Sequence, residues 1–286
     1  MKTASGLALK TARLRGLETA WLDNENAGKP VLLFLHGFLD TPETWAEQAA
    51  AFGRDYRLLL PYGRGVGPSR PPEDKRRYGA YSILLDNLEL LRLADPEGRL
   101  PVHVVGHDVG GVHAWMLACH PSPRLRSAAV LNSAHPKQYL RRALWPRQVL
   151  KSWYVGAFQI PYASEALLWV FHKRILDALT AEGWRAPGGS LSLADFEGAA
   201  VNAMNQYRQF VRDIPHFLGE RAAPTDVPVL VISSEEDRYL EAPSTTEFAD
   251  LARRVTVRVV RGKHWIHREQ AERVDRLLSG FWSENS

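Results

Sequence analysis

An aspartate stands at the centre of the segment VVGHDVGG (104–111), with glycines on both sides of it. The valines before it predict a buried strand, and VHAWMLACH (112–120) after it is typical of a helix. A glycine-flanked turn from a strand into a helix can hold a nucleophile above the carboxyl edge of a sheet. Asp108 occupies that place, and no Gly-x-Ser-x-Gly pattern occurs elsewhere in the chain. The alternative role for Asp108 is to cap the helix that follows it.

A carboxylate in that position favours a particular kind of chemistry. The ordinary pKa of an aspartate is near 3.9, so the side chain is ionised at neutral pH and can attack without a base. Attack suits a saturated carbon that bears a leaving group or belongs to a strained ring. The product is an ester on the protein itself.

Two later segments could provide the groups that hydrolyse such an ester. SSEEDRYLEAP (233–243) and RGKHWIHREQ (261–270) each follow an apolar run, and they offer Asp237 and His264. A histidine that is oriented by an acid can take a proton from water. Position in these loops favours Asp237 and His264, since His264 follows the turn at Gly262. Their rivals are Glu235, Glu236 and His267.

Short apolar runs that alternate with helical patterns position these residues. Strands on which both faces are apolar predict a mostly parallel sheet that is flanked by helices. The predicted strands are 31–35, 56–60, 102–106, 127–132, 227–233 and 255–260. The predicted helical segments are 41–52, 81–95, 247–254 and 269–281.

The middle of the chain has a different pattern. From about His135 to Ala223 no strand-like run occurs, and Trp- and Tyr-rich helical fragments are broken by Pro146, Pro161, Pro187 and the loop 186–190. We interpret this stretch as a helical cap inserted into the sheet domain. The predicted boundaries are 1–134 for the first part of the core, 135–223 for the cap and 224–286 for the second part of the core.

With these motifs, the chain resembles the α/β-hydrolase superfamily over nearly its whole length, and within it the epoxide hydrolases most. The elbow of that family, Gly-His-Asp-x-Gly-Gly, matches 106–111, and its histidine segment matches GKHWIHRE (262–269). The order nucleophile, acid, histidine is that of the triad in this fold. The resemblance implies an α/β-hydrolase fold with Asp108, Asp237 and His264 as the triad.

The resemblance also implies two tyrosines in the cap and two backbone donors. KSWYVGAFQIP (151–161) and AMNQYRQF (203–210) resemble the two cap motifs and indicate Tyr154 and Tyr207 as hydroxyl donors. LHGF (35–38) ends an earlier strand, so the backbone N–H groups of Phe38 and Val109 are expected to form the oxyanion hole. The chain departs from the family pattern at Leu39 in place of proline, at Val109 in place of tryptophan, and in the PYG before Arg64, which lacks the usual aspartate.

The implied reaction converts a small hydrophobic epoxide and water into a vicinal diol. A haloalkane dehalogenase is the second hypothesis, but side chains that could donate to a halide are missing at Phe38 and Val109. A third hypothesis is a non-catalytic ligand-binding protein of the same fold. No metal or cofactor is expected, because His-Glu-x-x-His and paired cysteines are absent and the dinucleotide pattern fails at Pro68.

Composition limits the classes of partner that we expect for this protein. The 286 residues carry a net charge of +4, and no basic block interleaved with aromatic residues occurs, so nucleic-acid binding is not expected. The N-terminal stretch contains no signal peptide or membrane span, and no membrane partner is expected. The one cysteine, Cys119, fits a reducing compartment, so we expect a cytoplasmic protein. The oligomeric state is left open.

Overall fold

Eight strands form one sheet in the computed structural model, which describes residues 6–122, 124–186, 193–219 and 223–285. Their order across the sheet is β1-β2-β4-β3-β5-β6-β7-β8. The pairs β1–β2 and β2–β4 are antiparallel and every other pair is parallel. The strands are β1 Ala8–Leu14, β2 Leu17–Asp23, β3 Val31–Leu35, β4 Arg57–Pro61, β5 Val102–His107, β6 Leu125–Leu131, β7 Val229–Ser234 and β8 Val255–Val260.

Ten α-helices occur in the described residues. They are α1 Ala46–Phe52, α2 Ala80–Ala94, α3 Val109–Cys119, α4 Pro136–Arg142, α5 Pro146–Lys151, α6 Trp153–Ala157, α7 Ala163–Ala181, α8 Leu193–Gly219, α9 Ile266–Glu269 and α10 Ala271–Glu284.

The central strand β3 shows how the core is built. Its residues alternate between the two faces of the sheet, so Leu33 and Leu35 pack in one cluster with α2 and α3. Leu32 and Phe34 pack in the other cluster, with α1 and α10. All five residues of β3 are buried. The predicted class, a mostly parallel sheet with helices on both faces, is confirmed.

The hairpin of β1 and β2 was not predicted from the sequence. Its strands join through Arg15 and Gly16, whose φ angles of 47° and 81° suit the tight two-residue turn that matches the twist of a hairpin. Residues of β1 alternate between half-buried and exposed, which is the pattern of an edge strand. That alternation carries little hydrophobic signal, because every second side chain of β1 lies in solvent.

One helical prediction is wrong in extent. The segment 247–254 begins within a short 3₁₀ turn, Thr245–Phe248, and continues as irregular chain in which Ala252 forms a bridge to Thr225. Phe248, Leu251 and Ala252 are all buried, so their helix-like spacing reflects packing against the core and not a continuous helix.

Helices α4 to α8 lie between β6 and β7 in the chain. Together with Leu39 and Trp265, side chains from α7 and α8 form a third apolar cluster that includes Leu168, Phe196 and Met204. The boundaries at 134 and 223 stay a prediction. Pro187 and most of the loop 186–190 lie outside the described residues.

Candidate active site

Asp108 stands at the turn between β5 and α3 in a strained conformation. Its φ and ψ angles are 51° and −122°, which few residues other than glycine adopt. The turn leaves no room for side chains around it: a Cβ on Gly106 would lie 2.1 Å from the carbonyl oxygen of Gly110, and one on Gly110 would lie 2.1 Å from that of Leu35. Asp108 does not cap α3 through its side chain. The glycines therefore permit a turn that presents this carboxylate.

Backbone N–H groups hold the carboxylate of Asp108. The N–H of Phe38 donates to Oδ2 over 2.8 Å, and the N–H of Val109 also donates to the carboxylate. These are the two donors expected to form the oxyanion hole. They come from the loop after β3 and from the first residue of α3, which meet because β3 and β5 are paired in parallel register.

His264 lies beside Asp108 and is oriented by Asp237. Its Nδ1 lies 2.9 Å from Oδ2 of Asp237, and its Nε2 lies 4.0 Å from Oδ1 of Asp108. Since a carboxylate only accepts hydrogen bonds, Nδ1 carries the hydrogen and Nε2 faces Asp108. Asp237 and His264 are both buried.

The charges around this pair shift its pKa values. Burial raises the pKa of Asp108, and His264 and the two backbone N–H groups offset part of that rise. Burial lowers the pKa of His264, but the charge and hydrogen bond of Asp237, with a further contribution from Asp108, raise it above its ordinary value. The imidazolium of His264 and the carboxylate of Asp108 therefore stabilise each other.

Tyr154 and Tyr207 lie near Asp108, on α6 and α8. Their rings meet edge to face with centroids 5.7 Å apart, and their hydroxyls share a hydrogen bond. Burial raises the pKa of both phenols well above the ordinary value, and the negative charge of Asp108 adds to the rise. Both hydroxyls are therefore protonated donors near the carboxylate across the whole neutral range.

A cavity of about 90 Å³ lies among these side chains. Asp108, Tyr154 and Tyr207 line it together with mostly apolar groups such as Val112, Phe210 and Leu240. A mostly apolar cavity with a few convergent polar groups is the usual form of a small-molecule site. The arrangement brings all five of the sequence-predicted side chains to one place.

The rival residues lie elsewhere. Glu235 is exposed, and Glu236 forms a surface ion pair with Arg261. His267 bonds to the hydroxyl of Thr44 over 2.8 Å, and burial holds its pKa well below the ordinary value. His264, in contrast, lies 4.0 Å from Asp108 and 2.9 Å from Asp237, so the geometry favours Asp237 and His264 over these three.

Three residues near His264 were not found from the sequence. The amide of Asn132, at the end of β6, donates to the carbonyl oxygen of His264 over 2.6 Å and so fixes that loop. Glu182, after α7, accepts a hydrogen bond from the backbone N–H of His264. The ring of Tyr239 meets the His264 ring edge to face at 4.7 Å. The position of Asn132 directly after a strand could have indicated this residue from the sequence, whereas no feature of the sequence indicated Glu182.

The departures from the family pattern have local consequences. Leu39 adopts a φ of 53°, which the ring of a proline cannot reach. Arg64 finds its acidic partner in α2, where Asp86 accepts a hydrogen bond from its Nε over 2.7 Å. Phe38 and Val109 carry apolar side chains that cannot donate to a leaving halide.

One group of possible metal ligands lies close to the backbone of His264 in the part of the chain that the structure describes. Ligand atoms of Asp40, His107 and His267 lie within 4.8 Å of one another. His107 donates through Nε2 to the carbonyl oxygen of His264 over 2.9 Å, and the Nδ1 atoms of both histidines have no partner among the described residues. This donor set fits a buried water molecule or a metal ion.

No helix in the described ranges is long and apolar enough to cross a bilayer.

Comparison with known proteins agrees with this architecture. The model of the alpha/beta hydrolase family matches residues 32–277. Epoxide hydrolase 4 of Homo sapiens is 28% identical over 95% of this chain and 77% of its own length. The AB hydrolase superfamily protein YfhM of Bacillus subtilis (strain 168) is 27% identical over 87% of this chain and 88% of its own length.

Solved structures share the fold. One, from work on novel epoxide hydrolases of the alpha/beta hydrolases superfamily in metagenomes from hot environments, has a TM-score of 0.74 at 26% identity and covers 96% of this chain and 98% of that chain. An epoxide hydrolase from Vigna radiata has a TM-score of 0.77 at 22% identity and covers 99% of this chain and 100% of that chain. The predicted α/β-hydrolase fold is confirmed. Because the family model spans most of the sequence, the chain belongs to the alpha/beta hydrolase family.

Proposed function

We propose that this protein is an epoxide hydrolase, which converts a small hydrophobic epoxide into a vicinal diol through an ester on Asp108. One observation carries the proposal: two tyrosine hydroxyls face an aspartate nucleophile across a single cavity. The names of the relatives and of the solved structures support the same substrate class. In this proposal, helices α4 to α8 act as the cap that supplies the tyrosines.

In the first step, an oxygen of Asp108 attacks an epoxide carbon and the ring C–O bond breaks. The electron pair of that bond goes to the ring oxygen, which takes a proton from Tyr154 or Tyr207. A hydroxyl donor whose hydrogen bond strengthens as this charge grows lowers the barrier more than it tightens substrate binding. The product is a hydroxyalkyl ester of Asp108 and one tyrosinate.

In the second step, His264 takes a proton from water, and the hydroxide attacks the carbonyl carbon of the ester. The Asp108 oxygen that accepts from the Phe38 N–H is then the carbonyl oxygen, so that hydrogen bond stabilises the oxyanion that forms. Collapse releases the diol and restores the carboxylate. The proton on His264 returns through solvent to the tyrosinate. The overall reaction is therefore epoxide plus water giving the vicinal diol.

Ester formation also changes the pKa of His264, the base of the second step. In the resting protein, the charge of Asp108 helps to raise the pKa of His264. The ester carries no charge, so the pKa of His264 falls when the ester forms. His264 therefore releases its proton more readily at the step that needs a base.

Purified protein assayed with styrene oxide and with a bromoalkane tests the proposal. We expect diol from the epoxide and no halide from the bromoalkane. Release of halide without turnover of epoxides would replace the proposal with dehalogenation, and no turnover of either would favour a ligand-binding protein.

A further inference from the structure

His113 is a buried polar residue that the proposed reaction does not use. It lies on α3, five residues after Asp108, is 8% exposed and lines the site cavity. No side chain or backbone group in the described ranges hydrogen-bonds to its ring. Burial lowers its pKa to about 3, so at neutral pH the ring is uncharged, with one N–H donor and one acceptor nitrogen.

Gln206 is a second polar residue that lines the same cavity. It precedes Tyr207 on α8, and its Oε1 is buried without a hydrogen-bond partner in the described structure. His113 and Gln206 both line a second cavity as well, of about 60 Å³, beside Arg64 and Asn87. The two side chains therefore stand where the site cavity continues into a second space.

Unpaired polar groups at this junction indicate a ligand. Burial of a donor or acceptor without a partner lowers the stability of a fold, and apolar side chains of the same size would not carry that cost. Of the described residues, only His113 and Gln206 line both cavities, so these two polar side chains lie where the two spaces adjoin. A ligand group that both donates and accepts hydrogen bonds would satisfy both residues.

We propose that His113 and Gln206 bind a hydroxyl group of the substrate, which makes the preferred substrates epoxides that also carry an alcohol. The hydroxyl donates to Oε1 of Gln206 and accepts from the ring N–H of His113. Five residues along a helix rise about 7.5 Å, so the alcohol lies several bonds from the epoxide carbon that Asp108 attacks. The assignment rests on the proposed epoxide hydrolase function.

Matched substrates and isosteric variants test the subsite. A 1,2-epoxyalkane is compared with the same epoxide carrying a hydroxyl at the far end of its chain, in wild type, His113→Leu and Gln206→Leu. In wild type, kcat/KM should be higher for the epoxide that carries the hydroxyl than for the plain epoxide. Each variant should lower this ratio of kcat/KM values about tenfold, as expected for the loss of one neutral hydrogen bond. His216→Leu, at an exposed position on α8 outside both cavities, is the matched control and should keep the preference. Equal kcat/KM values for both epoxides in wild type, or an unchanged preference in both variants, would overturn the subsite.

A binding measurement without turnover tests the hydroxyl subsite independently of the epoxide hydrolase reaction. Calorimetry should show that wild type binds a triol, the product of the hydroxylated epoxide, more tightly than the plain 1,2-diol, and His113→Leu should remove the difference. The melting temperature of His113→Leu should be no lower than that of wild type, since an unpaired polar group is removed. If no epoxide is opened but the triol still binds selectively, the reaction fails and the subsite stands. Equal binding of triol and diol by wild type would refute the subsite.

A separate observation concerns the outer surface of helices α5 to α7. Of the sixteen large hydrophobic side chains that are exposed in the described structure, eleven lie between residues 144 and 171. Trp153 is 70% exposed and Trp169 is 57% exposed. We call residues 144–174 the cap face. Exposed apolar groups concentrated in this way mark a binding surface.

The charges of the cap face have one sign. Its exposed charged residues are Arg147, Lys173 and Arg174, and no acidic side chain in the span is exposed. Glu165, which is half-buried, is paired with Arg208. A symmetric dimer through this face would bring like charges together, because the same patch meets itself. An anionic lipid surface would instead take up both the aromatic side chains and the cations.

We propose that the cap face binds anionic lipid surfaces, against the sequence-based expectation of no membrane partner. Trp153 lies next to Tyr154 on α6, so the face that contacts lipid is the outer side of the helix that lines the site. A hydrophobic substrate dissolved in lipid would then reach the site from the surface on which the cap rests.

Vesicle sedimentation tests this surface. The full chain should sediment with vesicles of phosphatidylcholine and phosphatidylglycerol, weakly with phosphatidylcholine alone, and less at high salt. The double change Trp153→Asp and Trp169→Asp should weaken binding at least about tenfold, while Leu93→Asp, at an exposed position on α2, should bind like wild type. A chain that stays in the supernatant, or that forms a stable dimer which the double change dissociates, would overturn the lipid assignment.

Discussion

The Nε2 atom of His264 lies 4.0 Å from Oδ1 of Asp108, too far for a direct hydrogen bond. A separation of that size can be bridged by water, which is the reactant that the second step requires. The same histidine is oriented from behind by Asp237 at 2.9 Å. In the proposed mechanism Asp108 attacks the epoxide and His264 deprotonates water, and the two roles can be separated by mutation.

Replacement of His264 with Gln should block ester hydrolysis and leave alkylation possible. Intact mass spectrometry after incubation with a good epoxide should show protein heavier by one substrate. His216→Gln, at an exposed position on α8, is the matched control and should show no adduct at steady state. An unmodified mass in His264→Gln would mean that Asp108 does not form the ester or that another base replaces His264.

The two tyrosines should be partly redundant. Tyr154→Phe or Tyr207→Phe alone should slow alkylation, and the double change should nearly abolish it, because the ring oxygen would leave as an unprotonated alkoxide. Loss of one donor to a developing oxyanion typically costs about 10²–10³ in rate. Pre-steady-state measurement of ester formation in the His264→Gln background gives this rate directly. A double variant that opens epoxides at the parent rate would show that these rings only pack the cap.

The pH dependence of alkylation should reveal the coupling between Asp108 and His264. Attack needs the carboxylate, and burial raises the pKa of Asp108, so the rate should fall on acidification at a pH above the ordinary aspartate value. His264 lowers that pKa, so in His264→Gln the acid limb should move to higher pH. No alkaline loss should occur near pH 10, because the pKa values of Tyr154 and Tyr207 are raised well above it. If the alkylation rate falls at the same acidic pH in wild type and in His264→Gln, the coupling between Asp108 and His264 is contradicted.

The elbow glycine should be intolerant of a methyl group. A Cβ on Gly106 would lie 2.1 Å from a backbone oxygen, so Gly106→Ala must shift the turn and should destabilise the fold by about 1–3 kcal/mol or more. Gly280 lies in α10, where an added Cβ would meet no atom within 4 Å, and Gly280→Ala should stabilise by about 0.5–1 kcal/mol. Chemical denaturation measures both changes. Equal stability of the two variants would show that the elbow is less crowded than these distances require.

Much of the fold could be predicted because buried parallel strands have a strong local signal. All five residues of β3 are apolar, and the six predicted strands correspond to β3 through β8. The β1–β2 hairpin was missed because an edge strand with one solvent face has few apolar residues. The 3₁₀ turn at Thr245–Phe248 was mistaken for a longer helix because packing alone sets the spacing of Phe248 and Leu251.

The residues of the candidate site could be named from the sequence where chemistry fixes the residue type within a motif. Asp108 and His264 follow strands and stand beside glycines that permit tight turns. Contacts such as that of Glu182 with the His264 backbone were not predictable, because they depend on how the end of α7 packs on the loop after β8. His113 could not be singled out either, since a histidine on an apolar helix is usually a satisfied core residue and its lack of partners is a property of the folded chain.

A single turnover in water enriched in heavy oxygen tests the covalent mechanism most directly. With protein in excess over epoxide, the diol should take its new oxygen from Asp108 and contain no label, because water attacks the carbonyl carbon of the ester. The label should appear in the carboxylate of Asp108, in the peptide that contains it. Label in the diol and an unlabelled Asp108 would show that water attacks the epoxide itself, and would contradict the ester on Asp108.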